Sequence, residues 1–346
     1  MRRLGLFLIV YFSFVTGSYS QIKDSVIFSD TGYYVSLRDK LTVYAYGITK
    51  FNTFEIKNSE GDYLVRYRPN ENFNLGIGFN YQWMGIGGAF NLKFLNDDQE
   101  VYGHTKSFDI QSDIFSKGMV LTANLQSYKG FFWDNVRSYD TTWNIRDSVP
   151  LRPDVETFNL GVSGIHAFNT NKFSFRAPYV YTEWQKRSAG SWLFGWQFSF
   201  YRLSADRYLI PPELAEYYPV LGRLVNLSTM SLGAGFGYSY TLVVKEVFFL
   251  NATLLLGLSM QGVTANDNRR AVLINDILPS AHSHFRMAIG VNNERHYYGI
   301  SLISDTNPIT HQEKSEYIYK YGKIKLFYGR HFNVSNISEK RNRKRL

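Results

Sequence analysis

No cysteine occurs among the 346 residues. In an exported chain this removes disulfides, thiolate nucleophiles, Cys-ligated zinc and lipidation of an N-terminal cysteine in one step. Long apolar runs are nearly as scarce. A bundle of spanning helices needs several uninterrupted stretches of about 20 apolar residues, and only the N-terminus approaches one. Hydrophobic residues make up 45% of the chain and the mean hydropathy is slightly negative, which excludes a helical membrane bundle. Aromatic residues are abundant instead, with 26 Tyr and 27 Phe in a chain that is 17% aromatic. A β-barrel faces lipid with only every second residue, so its mean hydropathy stays near that of a soluble protein.

The first twenty residues read as a secretory signal. Arg2 and Arg3 supply the positive start, Leu4 to Val15 the short apolar core, and Ser18, Tyr19 and Ser20 a small-x-small cleavage site before Gln21. The apolar core is shorter than the roughly 17 residues that a span requires. Without Arg2 and Arg3 the formal charge falls from +9 to +7. Much of the remainder sits in the tail, where Lys340, Arg341, Arg343, Lys344 and Arg345 outnumber Glu339. The basic balance therefore reflects a tail rather than a nucleic-acid face. Such a tail has anionic lipid or cell-wall polymer as its candidate partners, and no nucleic acid.

From about Asn72 onward one signal recurs: segments near ten residues long in which apolar and polar or small residues alternate with period two. Leu75, Ile77, Phe79 and Tyr81 oppose Gly76, Gly78, Asn80 and Gln82. Phe173, Phe175, Ala177, Tyr179 and Tyr181 form another apolar row, and Trp192, Phe194, Trp196, Phe198 and Phe200 the most aromatic one. Leu254, Leu256 and Leu258 oppose Thr253, Gly257 and Ser259. Soluble sandwiches also alternate. Three features favour a membrane barrel: polar faces rich in Gly, Ser, Thr and Asn, apolar faces that carry Tyr or Trp toward their ends, and the export signal.

The expected fold is all-β, an antiparallel transmembrane β-barrel of about 12–14 strands in the outer membrane of a Gram-negative bacterium. Long connections at 305–316, 261–280 and 205–225 fall on one side, short turns at 293–294, 241–244 and 185–190 on the other. Strands at Tyr139–Arg146 and Tyr63–Arg68 bring the count to fourteen. The domains follow: a signal peptide at 1–20, an N-terminal segment with further strands at 21–61, the barrel at 62–332 and a basic periplasmic tail at 333–346.

The stretch Tyr67-Arg68-Pro69-Asn70, followed by Leu75-Gly76-Ile77-Gly78-Phe79-Asn80-Tyr81, resembles a family of outer-membrane proteins of Bacteroides-type bacteria whose shared domain has no assigned function. Gln185-Lys186-Arg187-Ser188-Ala189-Gly190-Ser191 is similar to a second recurrent motif of that family. The resemblance implies a barrel and carries no catalytic or binding residue with it. Both motifs read as structural: Pro69 ends a strand because it cannot donate a ladder hydrogen bond, and Asn70 suits the turn that follows.

The most suggestive constellation is His282-Ser283-His284 with Arg286. Period two sets His282, His284 and Arg286 on one face and Ser283 on the other, whereas a nucleophile and its base must converge within about 3 Å. Ser301 from a neighbouring strand is the alternative nucleophile. Two histidines alone do not make a metal site, which needs three or four ligands, and no cofactor is expected. Lys93, Asp109, Asp113, Arg176, His282, His284 and Arg286 are the candidate polar residues of the lumen, lining a water path or pairing into a plug. The expected role is that of a barrel with outer-membrane lipid as its partner, acting as a small-solute pore or a surface-binding barrel. A lipase- or protease-type hydrolase and a purely structural envelope protein are the alternatives, and no enzyme is expected.

Overall fold

The computed structural model describes residues 32–58, 60, 62–81, 84–91, 98–140, 149–310 and 316–333. The chain runs β1 (Tyr34–Ser36), β2 (Lys40–Lys57), β3 (Leu64–Arg68), β4 (Phe73–Tyr81), β5 (Met84–Asn91), α1 (Gln99–Tyr102), β6 (Lys106–Ser116), β7 (Met119–Trp133) and β8 (Leu151–Ala167). It continues through α2 (Arg176–Tyr179), β9 (Glu183–Gln185), β10 (Ala189–Ser204), β11 (Asn226–Val244), β12 (Phe248–Asn266), β13 (Val272–Asn292), β14 (His296–Thr310) and β15 (Glu316–Asn333). No helix among the described residues is long and apolar enough to cross a membrane.

Thirteen strands form one antiparallel sheet, of which ten close the barrel where 12–14 were expected. The sheet closes where β15 pairs with β2 along its whole length, from Glu316↔Lys57 to Asn333↔Lys40. A continuous ring of ten strands results, from β2 through β15 down to β10, β8, β7 and β3. The expected extra strand of the 21–61 segment is thus β2, a full wall strand.

β3 and β4 pair with β2 at successive heights, Phe54↔Tyr67 above and Thr49↔Phe73 below, with Pro69 in the break between them. Pro69 has no N–H to give, so the ladder stops there. Asn70 fastens the break by donating to Asp98 (2.9 Å) and to the Gly103 carbonyl (3.0 Å). Above the break β3 touches β7 directly, Tyr67↔Trp133 and Arg68↔Phe132. Below it the wall widens, because β4 takes β5 and β7 takes β6 as neighbours.

The two faces separate as the alternation predicts. Leu232, Leu256 and Leu258 are 65%, 60% and 75% exposed, while Ser231, Thr253 and Ser259 on the opposite face are buried. Outward Trp192, Trp196, Tyr238, Tyr298 and Tyr328 join this exposed belt, the composition of an interface with lipid.

The turn expected at 241–244 falls at 245–247, since β11 reaches Val244 and β12 starts at Phe248. Three further expectations need correction. Residues 261–280 and 305–316 are not long loops: β12 reaches Asn266, β13 starts at Val272 and β14 reaches Thr310. Val263, Ala265, Ile274 and Leu278 face inward there and are buried, while outward Thr264 and Asn275 are polar and exposed. The outward face becomes mixed there, with Ile277 still exposed beside Asn275, but the strands continue. Second, Phe173–Tyr181 is not a wall strand. It turns inward as a short segment holding α2, with Phe173, Phe175, Ala177, Pro178 and Tyr181 all buried. Pro178 and the left-handed Tyr181 (φ 63°) cannot extend a ladder. Residues 185–190 accordingly connect that inner segment to β10 and are not a simple turn between wall strands. Third, Tyr139 caps a 3-10 turn at Val136–Ser138 and does not open a strand; residues 141–148 of the expected Tyr139–Arg146 strand lie outside the described residues.

Candidate functional site: the barrel lumen

The lumen is filled at three levels. At the end carrying the 205–225 connection, a lid closes the mouth. Leu209, Ile210, Leu214, Tyr218, Leu221 and Leu224 pack on inward Phe54, Ile56, Tyr67, Tyr201, Leu203 and Tyr317 in one buried cluster. Two 3-10 turns, Pro212–Tyr217 and Leu221–Arg223, fold the lid locally. Buried Arg152 secures it, holding Asp154 with two hydrogen bonds (2.9 and 2.8 Å) and donating to the Tyr208 and Arg207 carbonyls at 2.9 Å. The Tyr67 hydroxyl of the first family motif donates to the Leu209 carbonyl at 2.5 Å.

The middle level is polar and ionic. Asp109 accepts from Tyr128 (2.5 Å) and Gln126 (2.8 Å) and pairs with Lys50 (3.0 Å). Gln126 accepts in turn from Asn159 (2.8 Å) and Tyr319 (3.3 Å), and Asn52 donates to Tyr319 (2.8 Å). One step further, Asp113 pairs with Lys323 (2.8 Å) and Arg286 (3.5 Å) and accepts from Thr122 (2.6 Å), to which Arg286 also donates (3.0 Å). His284 is hydrogen-bonded through Nδ1 to Asp305. The internal space beside Asn159, Ser231, Gln261 and Tyr319 is about 10 Å³, no more than one water needs.

At the opposite end the 168–188 segment and β1 form a plug. β1 pairs with β9 and with no wall strand. Tyr181 stacks on Tyr297 (4.2 Å between ring centres) and against Phe327 (4.3 Å), and burial pushes its hydroxyl well above the ordinary value. Tyr179 donates to Asn251 (2.7 Å), and Asn292 donates to the Glu183 carbonyl (2.9 Å). Gln185 of the second family motif donates to the carbonyls of Lys172 (2.6 Å) and Arg187 (3.0 Å), so that motif staples the plug. Burial lowers the Arg176 guanidinium from its usual value, and the group donates to the Phe115 carbonyl at 2.6 Å.

Of the expected lumen residues, Asp109, Asp113, His284 and Arg286 meet in the middle level and His282 lines the lumen wall beside them. Arg176 is a plug residue and not a wall residue, because its segment turns inward. Lys93 lies outside the described residues. His284 and Asp305 are paired as a base and its orienter would be, but neither candidate serine joins them. Ser283 lies on the other face, and Ser301 sits four residues from Asp305 along β14, roughly 13 Å at strand spacing. No group of three or more metal-ligating side chains occurs among the described residues.

The sequence reading missed Lys50, Asp305, Lys323 and Lys325. The available signal was the odd-numbered row of β15, where Tyr317, Tyr319, Tyr321, Lys323, Lys325 and Phe327 face inward. Lys325 lies over the rings of Tyr44 (4.8 Å) and Tyr46 (4.5 Å).

A closed antiparallel barrel with an apolar aromatic belt outside and a hydrogen-bonded polar interior is an outer-membrane β-barrel. Within that class, the chain belongs to the family described as a domain of unknown function, DUF4421, which it matches over residues 28–332. No curated protein sequence matches it. Among solved structures it is similar to the outer membrane protease OmpT of Escherichia coli, at 8% identity over 85% of this chain and 97% of that one, TM-score 0.35. It is also similar to the translocator domain of the autotransporter NalP from Neisseria meningitidis, at 8% identity over 85% and 88%, TM-score 0.33. The toluene transporter TodX of P. putida matches at 7% identity over 86% and 90%, TM-score 0.24. At such TM-scores these likenesses carry no role from those proteins to this one.

Proposed function

We propose that this protein is a plugged, non-conducting outer-membrane barrel that acts by binding, not by passing a solute along its axis or by catalysis. The observation that carries this reading is the three-level filling of the lumen: lid, ionic layer and plug. An axial path would have to displace Arg286 and Lys323 from Asp113, groups whose separation inside the barrel is costly. In a planar lipid bilayer the purified full chain is expected to give no steady ohmic conductance. Stable, protein-dependent conductance in the unmodified protein would overturn the reading.

The same reading takes the chain as exported to a Gram-negative outer membrane with residues 1–20 removed, and as coming from a Bacteroides-type bacterium; the apolar core at Leu4–Val15 and the Tyr67–Asn70 motif support these two points. The basic tail, which from residue 334 lies outside the described residues, would attract anionic lipid or cell-wall polymer, each base contributing on the order of 1 kcal/mol near an anionic surface. Truncation after Asn333 is expected to abolish salt-sensitive retention on purified cell wall while leaving heat-modifiable migration intact. Equal retention of both forms at low salt would remove the tail from the proposal.

A further inference from the structure

Below the break at Pro69 the wall has a seam. β5 pairs with β4 and β6 pairs with β7, and among the described residues the other edge of each strand carries no ladder. Both strands lie in the apolar belt, where outward Ile86, Phe90, Phe108, Ile110 and Ile114 are between 50% and 68% exposed. Unpaired backbone N–H and C=O groups are costly at hydrocarbon depth, which is why sheets that span a membrane close on themselves. Two free edges at this level call for a partner.

The two edges are held differently. β6 is anchored from inside, since its Asp109 is engaged by Lys50, Gln126 and Tyr128 and its Asp113 by Lys323 and Arg286. Along β5 the inward positions Gly85, Gly87 and Ala89 offer no side chain that could hold the strand in the same way. All three are exposed, whereas the inward glycines of β11, Gly233, Gly235 and Gly237, are buried or half-buried. β4 belongs to the same leaf: it joins the wall through β2, from Thr42↔Asn80 to Thr49↔Phe73, and begins just past the break. A glycine-rich hairpin attached along one ladder thus stands beside an edge that is fixed in place.

Strand number and face say how the two would meet. Above the break the ring has ten strands. Below it, exchanging β3 for β4, β5 and β6 makes twelve once β5 meets β6, an even number as bacterial barrels have. β5 climbs toward the lid end and β6 descends from it, so the pair is already antiparallel. With Gly88 opposite Ser112, Phe90 meets Ile110 and Ile86 meets Ile114 on the outer face, and Gly87 meets Asp113 inside. Every side chain keeps its face in that register.

We propose that the β4–β5 hairpin is a lateral gate: paired with β6 it completes a twelve-stranded wall, and parted from β6, as in this structure, it opens the ionic layer to the side. The layer lies directly at the seam, because Asp109 and Asp113 stand on β6 itself. A single strand added from another chain fits less well, since between β5 and β6 it would run parallel to one of them in a sheet that is otherwise antiparallel. The proposal goes beyond the plugged-barrel reading, and its test does not involve conductance.

The chain has no cysteine, so an introduced pair reports without background. The test uses the full chain in nanodiscs carrying Gly88→Cys and Ser112→Cys, two outward positions with room: a Cβ at Gly88 meets nothing within 4 Å, and Ser112 is exposed. Under mild oxidation an intramolecular disulfide is expected, because facing residues of paired strands come within the roughly 4.4–6.8 Å between Cα atoms that the bond needs. Gly88→Cys with Phe108→Cys, four residues out of register and so roughly 13 Å away along the strand, should form it about tenfold more slowly. Spin labels on the first pair should give two distance populations, one of strand neighbours and one longer. Should that pair fail to fold, Phe90→Cys with Ile110→Cys, the adjacent outward pair, repeats both measurements. A single long distance without cross-link means a fixed opening, a single short distance means a wall that stays shut, and a disulfide between copies means that the edges pair between molecules; each would overturn the proposal.

Discussion

Asp113→Ala is expected to destabilise the barrel by about 3–5 kcal/mol, the cost of leaving buried charge without its partner. Asp113 is the sole carboxylate shown holding both Lys323 and Arg286, and Arg286 is among the most buried large side chains of the chain. The loss should appear as a shift of the urea midpoint for folding into lipid vesicles, with an unchanged denaturant slope. Replacing all three together by apolar residues of similar volume (Asp113→Leu, Lys323→Met, Arg286→Met) should recover most of that loss, because the uncompensated charges go with their partner. If Asp113→Ala shifts the midpoint by less than the equivalent of about 1 kcal/mol, the value of a solvated pair, the ionic layer is wet and the lumen is not filled as described.

Leu254→Arg should cost about 2–4 kcal/mol if Leu254 lies near the bilayer midplane. The residue is 48% exposed, in the centre of β12, between Tyr238 of β11 and Phe285 of β13. From the sequence alone, its neighbour Thr253, on the lumen face, reads as a tolerant site for the same substitution. The structure changes that expectation. Thr253 is buried, hydrogen-bonded to Ser239 at 2.6 Å and beside Asn251, in a plugged interior with no room for an arginine. Thr253→Arg should therefore also cost on the order of 1–3 kcal/mol through overpacking. The two losses separate by their dependence on lipid: that of Leu254→Arg should grow with the acyl-chain length of the vesicles, whereas that of Thr253→Arg should not. Lipid-independent loss at Leu254 would argue against its place on the outer face.

Much of the fold was legible in the residues because a barrel wall is a local code. Period two assigns each side chain to one face, and register follows from keeping apolar positions together. Leu75, Ile77, Trp192 and Leu254 all fall on apolar rows by that rule, and all four are exposed. The absence of cysteine and of spanning-length apolar runs had already narrowed the class.

What the sequence could not supply has one physical source: a lumen side chain's neighbours come from strands far away in the chain. Asp113 meets Lys323 across 210 positions, and Lys50 meets Asp109 across 59. Alternation says that a residue faces inward but not which residue it meets there. The plug deceived the reading for a related reason. Phe173, Phe175, Ala177, Tyr179 and Tyr181 alternate as a lipid-facing strand would, but an apolar row can be buried by protein as well as by hydrocarbon, and only closure of the barrel around it decides between them. The strand ends at 261–280 escape the alternation because polar Thr264, Asn268 and Asn275 interrupt the apolar row while ladder hydrogen bonding continues to Asn266 and from Val272. The sequence by itself thus determined the wall, its faces and its class. The tertiary structure alone decided that the lumen is occupied and that Asp113 holds Arg286 and Lys323, because each of these depends on contacts between strands that no local pattern records.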